Sequence, residues 1–141
     1  MSENILIAIA WPYANAEIHV GNLTGSHLPG DIVARYHRLK GDNVLVVSGT
    51  DAHGTPVTMS ADKLNQPVED VYKHFHATFL ETFQGYGITY DLFTSTHTEN
   101  HFKVSQSIFL ALKENGYLFT KVEPRSEERR VGKECRSRWS P

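Results

Sequence analysis

The sequence predicts an α/β fold whose first two strands lie side by side and parallel. Asn4–Ala10 and Asn43–Val47 are apolar and rich in β-branched residues, the pattern of strands covered on both faces. The stretch between them has helical spacing and the length of a crossover. Each run gives way to a loop of Gly, His and Asp residues, Trp11–Asn22 after the first and Gly49–Pro56 after the second. A right-handed crossover puts both carboxyl ends on one edge of the sheet. Open α/β sheets take their ligands outside that edge.

Residues 12–22 read as a loop. Leu23–Lys40 carries Leu28, Ile32, Val33, Tyr36 and Leu39 at helical spacing, with Asp31, Arg35, Arg38 and Lys40 opposite them. Gly41 predicts the C-cap. The start has two readings: at Pro29, a favourable first-turn proline, or just after Gly21 with a kink at Pro29. Residues 56–64 predict a short helix. Pro67–Phe83 predicts an amphipathic one, with Val68, Val71, Tyr72, Phe75, Phe79, Leu80 and Phe83 on one side and Gly85-Tyr86-Gly87 as its end. Ile88–Phe93 reads as a short extended segment. Glu99–Asn115 reads as a helix stopped by Gly116, and Tyr117–Val122 as a strand or extended exit.

The chain has 141 residues, 40% of them hydrophobic and 21% charged, with a formal net charge of -2. That is the balance of one soluble domain with a real core. No apolar stretch approaches the ~20 residues of a membrane span, and Ser2-Glu3-Asn4 with its short apolar run lacks the form of a signal peptide. No membrane association and a cytoplasmic setting are expected. Cys135 is the only cysteine, so neither an internal disulfide nor a cysteine-based zinc site is expected. Composition breaks after Pro124: residues 1–124 are acidic, whereas 125–141 are basic and hold five of the seven arginines.

Chemistry concentrates in the two loops. His19-Val20-Gly21-Asn22 stands at a helix start, where free N–H groups favour phosphate. His19 and Asn22 offer hydrogen bonds there and Gly21 offers close approach, although a lone His-x-Gly is more often ordinary loop chemistry. Asp51 follows the second strand, where a carboxylate binds an ammonium or a ribose hydroxyl, or else caps the next turn. His53 faces a nucleotide or satisfies local bonds. Tyr13 walls an apolar side chain or covers the sheet edge. His97 and His101 have a metal-pair spacing, but a helix start falls between them and no third ligand is evident. No metal site is expected. No Gly-x-Gly-x-x-Gly, Gly-x4-Gly-Lys-[Ser/Thr] or Gly-x-Ser-x-Gly motif occurs.

Taken together, Pro12-Tyr13-Ala14-Asn15, His19-Val20-Gly21-Asn22 and Asp51-Ala52-His53-Gly54-Thr55-Pro56 resemble the methionyl-tRNA synthetases, a class I aminoacyl-tRNA synthetase family. Leu28–Tyr36, Gly87–Asp91 and Lys113–Tyr117 extend the resemblance over residues 4–122. It implies the first half of a Rossmann-like (HUP-type) parallel-sheet nucleotide-binding catalytic domain. It also implies a parent enzyme that joins L-methionine to ATP, supplied with Mg2+, and passes the methionyl group to tRNA(Met). By the same resemblance His19 and Asn22 are catalytic, and His19, Gly21 and Asn22 bind ATP. Ala10, Trp11, Tyr13 and Asp51 bind methionine, with Asp51 on the ammonium. Pro12, Asn15, His53 and Gly54 lie in the site loops.

The sequence departs from that pattern in places. Asn22 stands where the family usually has a second histidine, which keeps a hydrogen-bonding head but not a positive charge. Ala16-Glu17 replaces the usual Gly-Pro, and Trp11 replaces leucine of some members. The Lys-Met-Ser-Lys-Ser-type loop, the Cys-x-x-Cys ligands of a zinc knuckle and an anticodon-binding domain are all missing from this sequence. Zinc would therefore belong to the full-length parent and not to this chain. Residues 1–124 are expected to be an incomplete part of the catalytic domain, inactive alone. Residues 125–141 are expected to be a foreign or artefactual, disordered tail, or else a basic tail that contacts RNA. Two other functions stay open: a class I synthetase for another apolar amino acid, and a non-catalytic nucleotide- or tRNA-binding module.

Overall fold

The computed structural model describes residues 2–120. Its element order is β1 (Asn4–Ala8), α1 (Val20–Asn22), a π-helical turn (Leu23–His27), α2 (Leu28–Lys40), β2 (Asn43–Thr50), α3 (Thr55–Leu64), α4 (Val68–Gly85), β3 (Leu92–Ser95) and α5 (Glu99–Glu114). The three strands form one sheet in the order β1-β2-β3, parallel throughout. Leu6 is in register with Leu45, and Val47 with Leu92. A parallel sheet joined by helical crossovers is the Rossmann-like architecture that the sequence predicts.

The first helical region starts earlier than either reading of the sequence placed it. α1, the π turn and α2 run on without leaving helical backbone, from Val20 to Lys40. Pro29 has no N–H, and in a regular α-helix its ring would crowd the carbonyl of Gly25. The chain meets this with i→i−5 bonding in the preceding turn, where Leu28 N–H reaches the carbonyl of Leu23.

The buried face of α2 also differs from the expected one. Leu28, Ile32, Val33, Tyr36 and Leu39 are exposed, while Asp31 and Ala34 are buried. Small residues make the contact here. A side chain on Gly30 would collide with Ile9, its Cβ lying 2.4 Å from Ile9 Cδ1. Gly30 and Ala34 thus let the helix axis lie close on Ile9 and Val46, a proximity that bulky residues on that face would forbid.

The main core joins Ala14 and Leu23 to Val57 and Ala61 of α3, to Val71, Phe75, Phe79 and Phe83 of α4, and to Ile88. Tyr90 packs against this cluster and also against the one beneath α2. The helices end in a shared way. At Gly41, Asn65, Gly87 and Gly116 the chain turns left-handed, and the next residue's N–H returns to a carbonyl five residues back. After α4 that turn sends Ile88 into the core, with Ile88 N–H on the Phe83 carbonyl at 2.9 Å. Ile88–Tyr90 is therefore not strand. β3 begins at Leu92, later than the expected extended segment.

The chain divides into two compact units, 1–104 and 105–141. In the second, the last part of α5 closes with Tyr117 N–H on the Leu112 carbonyl. Residues 117–120 form no strand. The rest of the expected exit strand and the basic tail 125–141 lie outside the described residues. Among the described residues no helix is long and apolar enough to cross a membrane.

Candidate active site

The strand-end loops are tied together by backbone. Ile9 N–H still bonds the Val47 carbonyl at 2.9 Å, after which the chain leaves β2 at Ala10 and Trp11. It returns at once: Asp51 N–H donates to the Pro12 carbonyl at 2.8 Å, and Ala14 N–H donates to the Asp51 carbonyl at 2.9 Å. Tyr13 and Asp51 thereby face each other as an isolated parallel bridge. The excursion lays the Trp11 ring over Gly49, where an added Cβ would lie 2.7 Å from both the ring and the Thr94 carbonyl. Ala10, Trp11 and Tyr13 are exposed and Pro12 half-buried. Tyr13 is therefore an open wall, with Ala14 beside it as the core residue.

Asp51 is held on one oxygen. Its Oδ1 accepts His53 N–H at 3.2 Å and the Thr96 hydroxyl at 3.4 Å. Among the described residues Oδ2 has no partner. The bond to His53 is a local turn, but Asp51 does not cap α3. Gly54 occupies that N-cap with no side-chain bond and a φ of +108°, which only glycine adopts freely. The His53 ring lies 5.4 Å from that of His97 and 5.7 Å from that of Phe102. His97 also packs on Tyr72 at 4.9 Å. Thr98 accepts the His101 N–H as an N-cap, so His97 lies outside the helix that carries His101. The half-buried Asn15 fixes its loop to α3 by accepting the Ser60 hydroxyl on its carbonyl at 2.9 Å.

His19, Gly21 and Asn22 form a second, separate unit. His19 is the N-cap of α1: its Nδ1 accepts Asn22 N–H at 3.2 Å, while Asn22 Oδ1 accepts His19 N–H at 3.3 Å. This is a capping box with histidine and asparagine in the places usual for Ser/Thr and Glu/Gln. An Nδ1 that accepts leaves the ring proton on Nε2, the nitrogen turned away from the helix. The N–H groups of Val20 and Gly21 come before any carbonyl the helix can give them. Gly21 makes the ring position available, since a Cβ there would stand 2.9 Å from His19 Cε1 and 3.0 Å from Nδ1. Among the described residues, no hydrogen bond joins this unit to the Asp51 loop.

Below the edge, Thr50 is fully buried and shares a 2.8 Å hydrogen bond with His76 Nδ1, and burial lowers the pKa of His76. Thr96, His97 and Tyr72 are the neighbours that the sequence reading did not assign to the site. The signal for Thr96 and His97 lies in Ser95-Thr96-His97-Thr98, a polar run at the end of β3, and an extended segment that stops at Phe93 falls short of it.

Residues 5–126 match the family model described as tRNA synthetases class I (M). The chain is 50% identical over 133 residues to the methionine--tRNA ligase of Roseiflexus sp. (strain RS-1), covering 94% of this chain and 22% of that one. It is 52% identical over 123 residues to the enzyme of the same name from Thermomicrobium roseum, covering 87% and 21%. Its fold superposes on Mycobacterium tuberculosis methionyl-tRNA synthetase in complex with methionyl-adenylate, with a TM-score of 0.74, 26% identity and coverage of 82% of this chain and 22% of that structure. The chain thus spans about a fifth of the length of the relatives it matches. By the family model over residues 5–126, these relatives and the shared fold, the chain belongs to the methionyl class I tRNA synthetase family.

Proposed function

We propose that the full-length protein containing this chain activates L-methionine with ATP and transfers the methionyl group to tRNA(Met), and that this chain supplies one side of the site. The Tyr13–Asp51 bridge carries the reading, because it sets a carboxylate with an open oxygen beside an aromatic wall. The α-ammonium of methionine sits on Asp51 Oδ2. The thioether chain lies against Tyr13 and Trp11, where sulfur meets aromatic surface. The substrate carboxylate then attacks the α-phosphorus of ATP. A C–O–P bond forms, the bond to the β-phosphate bridging oxygen breaks, and pyrophosphate leaves with that electron pair.

His19 stabilises the charge that grows on the phosphates, donating from Nε2 while Asn22 and the first-turn N–H groups complete the cradle. No side chain becomes covalently attached. Mg2+ enters as part of the ATP substrate. In the second step a ribose hydroxyl of the terminal adenosine attacks the methionyl carbonyl and AMP departs. We place the parent enzyme in the cytoplasm and the 141-residue chain alone among inactive proteins, since catalysis by positioning requires both sides of a site.

The test is amino-acid-dependent ATP–pyrophosphate exchange by the protein of the uninterrupted reading frame. Methionine should drive exchange, and Asp51→Asn should abolish it. Exchange driven by another apolar amino acid, and not by methionine, would overturn the reading. Exchange by the 141-residue chain would overturn its assignment as inactive.

A further inference from the structure

We propose that Thr96 is the positioning residue for Asp51, setting which carboxylate oxygen meets the substrate ammonium. The proposal rests on the methionine-activation reading and assigns a role to a residue outside both signature loops.

Thr96 follows β3 and is fixed at the end of β2 by its own backbone, with its N–H on the Thr50 carbonyl at 3.1 Å. Its hydroxyl oxygen accepts Ala52 N–H at 2.9 Å. A hydroxyl has one proton and two lone pairs. With a lone pair engaged by Ala52, the proton turns to Asp51 Oδ1, 3.4 Å away. That oxygen already accepts His53 N–H. Two donors on Oδ1 hold the carboxylate plane and leave Oδ2 as the oxygen for a cation. The donors come from different elements: His53 belongs to the loop that carries Asp51, and Thr96 to the neighbouring strand end. A turn bond alone would let the carboxylate move with its loop, whereas the threonine references it to the sheet. The next residue is locked too, with His97 N–H on the buried Ser95 hydroxyl at 3.0 Å.

A purely structural threonine would serve only Ala52 N–H. The two roles separate on a ligand's ammonium. In the full-reading-frame enzyme, Thr96→Val should raise KM for methionine about tenfold, with KM for ATP unchanged within about twofold. Inhibition of exchange by L-methioninol should weaken by a like factor, whereas its deamino counterpart, 4-(methylthio)butan-1-ol, should inhibit both enzymes equally. Thr96→Ser keeps the hydroxyl and should restore the wild-type constants. It also provides a folded variant should valine disturb the loop. Equal weakening of both inhibitors, or no change with valine in an enzyme that does depend on methionine, would overturn this proposal alone. A wild-type enzyme with no methionine dependence would overturn the reading of the site, and this proposal with it.

Discussion

His19 Nδ1 lies 3.2 Å from the backbone nitrogen of Asn22 and accepts its hydrogen, so the ring is oriented by the helix that it begins. Capping draws on one nitrogen of the imidazole and the proposed phosphate contact on the other, so a change that displaces the ring should affect both.

Gly21→Ala should make that displacement without unfolding the chain. The new methyl would stand 2.9 Å from His19 Cε1. Moving the exposed ring away gives up its cap bond to Asn22, about 1 kcal/mol, which alanine's gain of up to about 1 kcal/mol of helix propensity over glycine offsets. Urea unfolding of the chain should therefore show nearly unchanged stability. Exchange by the full-length enzyme should fall at least about tenfold.

Asn22→Ala removes the other half of the capping box, the Oδ1 that accepts His19 N–H. The cap should lose about 1 kcal/mol, read from the urea midpoint at constant slope. Asn22→His, the residue more usual in the family, should leave exchange active.

Gly49→Ala should behave oppositely to Gly21→Ala. Its Cβ would meet the Thr94 carbonyl, a backbone atom of the neighbouring strand, as well as the Trp11 ring. A sheet interior has little room to yield, so a loss of about 3 kcal/mol is expected in the same unfolding experiment.

Acid should weaken the chain twice, first near neutrality where His27 packs on Phe83 and Tyr90, and then at low pH at the joint between α2 and β2. The Asp42 carboxyl accepts from His37, from the Glu3 backbone N–H and from Lys40, and these hold its pKa at about 2 instead of 3.8. The stabilisation is complete above 3.8 and disappears as pH falls through about 2. Burial lowers His27 from 6.5, so this ring opposes folding as pH falls below 6.5. Stability measured against pH should show both declines, and Asp42→Asn should flatten only the acidic one.

The sheet face opposite Val46 is apolar and open. Leu6, Leu45 and Leu92 share it and are 65%, 50% and 53% exposed. Sedimentation velocity of the 141-residue chain should show concentration-dependent self-association. Leu6→Lys with Leu45→Lys should remove it while moving the melting temperature little.

What the sequence disclosed follows from which forces are local. β-branched runs, the spacing of Phe75, Phe79 and Phe83, and the glycine stops at Gly41 and Gly116 act through neighbours in the chain, and those elements appear where expected. Trp11 to Ile18 and Asp51 to Gly54 were legible as strand-end loops from their residue types, whereas Val20 to Asn22, read as loop, already belongs to the helix. The inward face of α2 was not, because Gly30 and Ala34 earn it through closeness to Ile9, and closeness has no periodicity. Thr96 was hidden for a related reason: its partners, Ala52 and Asp51, lie more than forty residues back in the chain.

The π turn at Leu23–His27 sets a phase. Each helical residue turns the chain by about 100°. The angle between the cap at His19 and the sheet-facing pair Gly30 and Ala34 is therefore fixed by how many residues separate them. The i→i−5 turn takes up one residue more than an α turn, so a regular helix of the same length would rotate the imidazole by about 100° against the close-packed face and could not keep both in place. A single deletion in 23–27 should consequently be absorbed as a regular helix, whereas an insertion there should be more damaging than substitutions at the exposed Thr24 or Gly25.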